Sequence, residues 1–147
     1  MKLEDVTDFF KTQPLMYLAT TDKDQPKVRP MALIYYEDQS WCCSLGGRPK
    51  IDQIKENGKI EFAVIAPERE DMSTIRGSGD AVIVKDKEIK KELSEFIPWF
   101  SGYWESFEDP AFVLIRLDLS EIEVQVPKER IFYTFNLEDG TVSSVEK

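Results

Sequence analysis

Two short stretches of this chain carry the residue types that grip anions. Residues 44–50 (SLGGRPK) lie where a strand-like apolar run gives way to a helix-like segment opening at Pro49. Gly46 and Gly47 permit backbone conformations that turn amide N–H groups toward an anion. A helix starting near Pro49 adds its positive dipole end. Arg48 and Lys50 supply charge, and Ser44 supplies a hydroxyl. Residues 26–31 (PKVRPM) bring a third cation, Arg29, on the strand parity of Met31 and Leu33. Its planar fork suits two phosphate oxygens. Pro30 cannot donate to a sheet ladder, so it belongs at an edge or bulge, where backbone groups remain free for another partner. Each stretch alone also reads as ordinary surface: a tight turn with two solvated basic residues, or an edge-strand arginine in water. A strand, turn, strand and Gly-rich turn would bring them together, with Arg29 beside the strand ending at Ser44.

That convergence carries weight because the chain is acidic. Its 147 residues include 28 Asp and Glu against 19 Lys and Arg, a formal charge of −9. Nucleic acid and anionic membrane need a cationic footprint and are not expected partners. The chain has no histidine, which removes Ser/His/Asp and Cys/His nucleophilic machinery, the usual zinc sets and histidine-held haem. Much common enzymology is thereby excluded, unless a cofactor carries the chemistry. Cys42 and Cys43 are adjacent and would face opposite sides of a strand, so they read as small apolar residues rather than as a disulfide or metal pair. The charged start and the lack of a long apolar run make the cytoplasm the expected compartment.

The length suits one domain spanning 1–147, with no linker or repeat. Apolar residues at helical spacing mark a first helix over 3–11. Strands are expected at 15–21, 28–36 and 41–45, joined by short polar turns into an antiparallel meander. A helix at 49–56 and a strand at 60–64 follow, then an acidic loop over 68–71 read as solvated. A long strand over 73–84 contains Gly77 and Gly79, which point to a bend or a close backbone approach. Asp86 is placed to cap a helix over 87–97. An aromatic loop (Trp99, Phe100, Tyr103, Trp104, Phe107) is expected to plug a core or an interface rather than to bind substrate. Flavin stacking by Trp99 or Trp104 stays open. Strands at 112–117, 121–126 and 131–135 precede a turn and a polar tail. The class is α+β, mostly β: a six- to seven-stranded antiparallel barrel with short flanking helices.

In order, MYLATTD at 16–22, PKVRPM at 26–31, SLGGRPK at 44–50, QIKENG at 53–58 and STIRGSGDAV at 73–82 resemble the pyridoxamine-phosphate-oxidase-like FMN-binding split barrels. The resemblance covers about residues 3–126. It implies a homodimer with FMN at the interface. Arg29 and Lys50 would hold the phosphate with Ser44 assisting, and Pro30, Met31 and Ala32 would run beside the isoalloxazine ring. Thr74 falls where the family often has a polar side chain reaching the flavin. Arg48 stands where a serine or threonine is common. The chain lacks the histidine-containing C-terminal segment of the vitamin-B6 oxidases, so the resemblance leans to the small general-stress or flavin-reductase-like members. The implied function is an FMN-dependent oxidoreductase taking electrons from a reduced donor, with NAD(P)H a candidate, to an unidentified acceptor. A flavin carrier without turnover, and a barrel for another cofactor, remain the alternatives. No catalytic residue and no metal site are assigned.

Overall fold

In a computed structural model of the chain, residues 1–66 and 72–146 are described; the acidic loop expected over 68–71 lies outside them. Nine strands and three α-helices occur among the described residues. Helix α1 (Leu3–Phe10) buries Val6 and Phe10. The strands are β1 (Leu15–Asp22), β2 (Gln25–Ala32), β3 (Ile34–Tyr36), β4 (Gln39–Leu45), β5 (Lys59–Ile65), β6 (Thr74–Val84), β7 (Phe112–Val126), β8 (Ile131–Asn136) and β9 (Val142–Glu146). Helix α2 (Pro49–Glu56) lies between β4 and β5, and α3 (Lys87–Phe96) follows β6. Asp86 caps α3 as expected, its carboxylate accepting from the Glu88 and Ile89 amides, a contact that contributes about 1 kcal/mol.

All nine strands belong to one antiparallel sheet. Its main path runs β2-β1-β5-β6-β7-β4-β3, with β8 on β7 and β9 on β8. The sheet curls into a barrel that does not close. Strands β2 and β4 approach each other yet share no ladder, and this gap is the split. The expected strand over 28–36 is corrected accordingly. It breaks at Leu33, so that β2 pairs with β1 and β3 pairs with β4 at opposite edges. At the break, the Leu33 amide donates to Pro14 O at 2.9 Å. Pro30 does stand on an edge strand.

Strands 112–117 and 121–126, read separately from sequence, form one strand, β7. A register shift at Ser78/Gly79 absorbs Ser120, whose hydroxyl donates to Ser78 O at 3.2 Å; this bulge bends β6 and β7 without ending them. Gly79 is required there: a Cβ would lie 2.0 Å from Asp118 O. The tail read as polar makes β9, a wholly exposed strand paired only to β8.

Two apolar clusters result. One fills the barrel with Phe10, Met16, Leu18, Phe62, Ile75 and Ile122 among others. The second joins Trp41, Leu93, Ile97, Phe100, Trp104 and Phe112 beside the split. The adjacent cysteines serve one each: Cys42 is buried in the barrel and Cys43 packs against the aromatic cluster, as the strand parity predicts. No helix among the described residues is long and apolar enough to cross a membrane.

Candidate functional site

The split opens into a groove of about 550 Å³ lined by residues from both sides of the gap. Leu15 on β1 and Pro30, Met31 and Ala32 on β2 form one wall, and Cys43, Ser44 and Leu45 on β4 form the other. Arg48 and Lys50 close one end, and Trp99, Tyr103 and Trp104 form an aromatic wall. The groove therefore combines two cations with a largely apolar lining, the general pattern of a small-molecule site.

Local sequence explains the cationic end. Gly47 adopts φ +80° at the tip of the turn after β4, a conformation open to glycine at little cost. The Gly46 amide donates to Ala111 O at 2.9 Å and ties the turn to the start of β7. Pro49 opens α2, and no side chain caps that helix end, which leaves its positive dipole terminus available. One residue into the helix, the Lys50 ammonium donates to Ser44 Oγ at 3.0 Å. Ser44 is 4% exposed and also donates to Leu45 O at 3.0 Å.

Arg29 stands one layer behind the groove wall. On β2 opposite Leu18, it turns into the barrel end, where Nη1 donates to Leu18 O at 3.0 Å and Nη2 to Gln53 Oε1 at 3.2 Å. Burial pulls its pKa down. Lys50 is pulled down by burial first, and also by the nearby charges of Arg29 and Arg48. Lys50 thus feels the charge of both arginines. Among the described residues no carboxylate forms an ion pair with Arg29, Arg48 or Lys50. Beneath them Cys42 is fully buried, and its thiol is pushed up to about 12 by that burial, so it is an inert thiol.

Seven of the eight residues singled out from sequence, Arg29, Pro30, Met31, Ala32, Ser44, Arg48 and Lys50, lie in or directly behind this groove. Thr74 is not part of its lining. It sits at the start of β6 opposite Ile65 and Gln125, on the sheet's outer face, two strands from the groove residue Leu15. The aromatic loop divides its labour. Phe100 and Trp104 are buried core, with Trp104 Nε1 donating to Ala111 O at 2.8 Å. Trp99 and the 60% exposed Tyr103 form the open wall, their rings edge-to-face at 5.6 Å. Sequence reasoning missed Gln53 and Thr20, buried polar side chains at 8% and 2% exposure behind Arg29. A signal existed for Thr20, which ends the inward row of Met16 and Leu18 on β1 with a hydroxyl.

Solved structures that share this architecture include three of similar extent. A nimc/nima family protein from Clostridium acetobutylicum is 21% identical, with TM-score 0.69 over 96% of this chain and 89% of its own. General Stress Protein 26 from Bacillus anthracis is 20% identical, with TM-score 0.69 over 99% and 100%. A pyridoxamine 5'-phosphate oxidase-related, FMN binding protein from Nostoc punctiforme is 16% identical, with TM-score 0.72 over 99% and 96%. At these identities the likeness shows the fold. No curated protein matches the chain in sequence. The model of one family, pyridoxamine 5'-phosphate oxidase, matches residues 3–126, a span that holds the split, its groove and every cation described above. The chain belongs to the pyridoxamine 5'-phosphate oxidase family.

Proposed function

We propose that the chain binds FMN in the groove between β2 and β4 and serves as an FMN-dependent oxidoreductase, passing electrons from a reduced donor, NAD(P)H by class, to a small-molecule acceptor. The observation that carries this reading is the pair Arg29 and Lys50: half-buried cations without a carboxylate partner among the described residues, in a chain of charge −9. Holding such charges out of water costs free energy unless an anion completes the site. The FMN binding of the Nostoc relative supports the same ligand.

Lys50 and Ser44 hold the phosphate, with Arg29 raising the positive potential behind it and Arg48 flanking the entrance. Pro30, Met31 and Ala32 lie along the ring, on an edge strand whose outer backbone side has no ladder partner. Bound flavin supplies hydride acceptance and one-electron transfer. The chain's own contribution is to fix the ring, exclude water with Leu15, Leu45 and Trp99, and hold the phosphate. With no histidine present, we assign no proton-transferring side chain.

The partner in this proposal is a second copy of the chain. The outer face of β2, β1 and β5 exposes Val28 (68%), Ile65 (57%), Leu15 (54%) and Tyr17 (42%). A contiguous apolar patch of this kind needs a cover. Leu15, Pro30 and Ala32 belong to both this face and the groove, so a copy packed on the face also roofs the groove. Thr74 lies on that face, placed to reach the flavin across the interface. The whole chain acts as one domain in the cytoplasm.

The test is a visible absorption spectrum of freshly purified protein, with the released cofactor identified by mass spectrometry. Flavin bands with FMN released are expected. A colourless protein that also fails to bind added FMN overturns the proposal. If bound flavin oxidises NADH or NADPH no faster than free FMN does, the oxidoreductase part falls and binding alone stands.

A further inference from the structure

We propose that Gln53 and Thr20 are positioning residues that hold Arg29 for the phosphate group without cancelling its charge, an inference that rests on the flavin-phosphate reading. Three elements meet at one amide oxygen. Gln53 Oε1, on α2, accepts from Thr20 Oγ1 of β1 at 2.6 Å and from Arg29 Nη2 of β2 at 3.2 Å. Both residues are sealed from water, at 8% and 2% exposure.

Hydrogen-bond chemistry fixes the arrangement. A guanidinium has only donors, so the amide must show Arg29 its oxygen, and the Thr20 hydroxyl must then act as donor. The hydroxyl thereby locks the amide in the one orientation that serves Arg29. A carboxylate in the same place would bind the guanidinium more strongly and neutralise it. The amide orients the side chain and leaves the full positive charge, with N–H groups beyond the two already engaged. Gln53 also follows Lys50 by one helical turn. The amide contact therefore sets the distance between two cations on separate elements, preorganising both before any anion arrives.

Riboflavin, which is FMN without its phosphate, separates this role from a structural one. Dissociation constants for FMN and riboflavin would be measured on the purified, flavin-stripped protein and on Gln53→Glu, Thr20→Val and Thr20→Ser. Gln53→Glu keeps both acceptor contacts and pairs with Arg29, so the fold is retained. The inference expects the unaltered protein to prefer FMN. Gln53→Glu should cut FMN affinity about tenfold, the order expected for neutralising one cation of the phosphate site, with riboflavin unchanged. Thr20→Val should lower the preference in the same direction, and Thr20→Ser should restore it. Equal weakening of both ligands means a purely structural role and overturns the inference, as does an unchanged preference in Gln53→Glu and Thr20→Val. If the unaltered protein shows no preference for FMN, the phosphate reading itself has failed, and the inference falls with it.

Discussion

The Lys50 ammonium reaches Ser44 Oγ at 3.0 Å across the turn that links β4 to α2. Both residues line the groove at the split, and the contact ties the first turn of α2 to the end of β4. A lysine tied only to a hydroxyl keeps donors in reserve, since an ammonium has three. Four consequences of this arrangement and its surroundings can be measured.

Lys50→Ala removes one of the two cations that line the groove while leaving the buried side chains in place. FMN affinity is expected to fall about ten- to hundredfold, because a hydrogen bond to a charged group contributes roughly 1.5–3 kcal/mol. Flavin fluorescence titration reads the change. Unaltered affinity would remove Lys50 from the phosphate site.

The pH dependence follows from the depressed Lys50 pKa. Burial, then Arg29 and Arg48, hold it below its ordinary 10.5. The unfolded chain therefore binds more protons in the window between the two values, and the stability of the flavin-free protein rises with pH across it. Bound phosphate favours the charged ammonium, so FMN affinity should fall as pH rises through the same window. Denaturant melts of the parent and Lys50→Ala, taken across the alkaline range below 10.5, should show the parent gaining on the variant as pH rises. A pH-independent difference between them would contradict the assignment.

The two groove tryptophans should separate by experiment. Trp104 is 4% exposed and bonded to Ala111 O, the oxygen that also accepts the Gly46 amide. Trp104→Phe is expected to cost about 1 kcal/mol for the lost hydrogen bond, visible as a lower denaturation midpoint. Trp99 faces the open groove, so Trp99→Phe should leave stability nearly unchanged and weaken FMN binding in a flavin titration. Unaltered FMN affinity in Trp99→Phe would place the ring elsewhere.

Close approach in the long strand can be tested with one added methyl. A Cβ on Gly77 would lie 2.4 Å from the ring of Phe62, a side chain with 1% exposure and little room to move. At Gly79 the obstacle is backbone, Asp118 O at 2.0 Å. Gly77→Ala and Gly79→Ala should each destabilise by about 1–3 kcal/mol or more, with Gly79 the worse because a carbonyl in a ladder cannot rotate away. Gly102→Ala meets nothing within 4 Å and is the neutral control. A stable Gly79→Ala protein would argue against the bulge as drawn.

Local physics made much of this chain legible from its residues. Alternation of side chains named the barrel strands, Asp86 and Pro49 marked helix starts, and Gly46 and Gly47 marked the turn between β4 and α2. Pro30 announced an edge, and that is where it lies. Each of these depends on a residue and its near neighbours, so the sequence alone carries them. What the sequence did not determine was which edges meet. The run over 28–36 has unbroken strand character, yet it divides at Leu33 because its two halves pair with different partners, β1 and β4. Pairing between distant segments is settled by burying one shared core, and no local period records it. The groove exists only because β2 and β4 come together without hydrogen-bonding. For the same reason Gln53 and Thr20, polar residues 33 positions apart, acquired their meaning only when α2 folded over the end of β1.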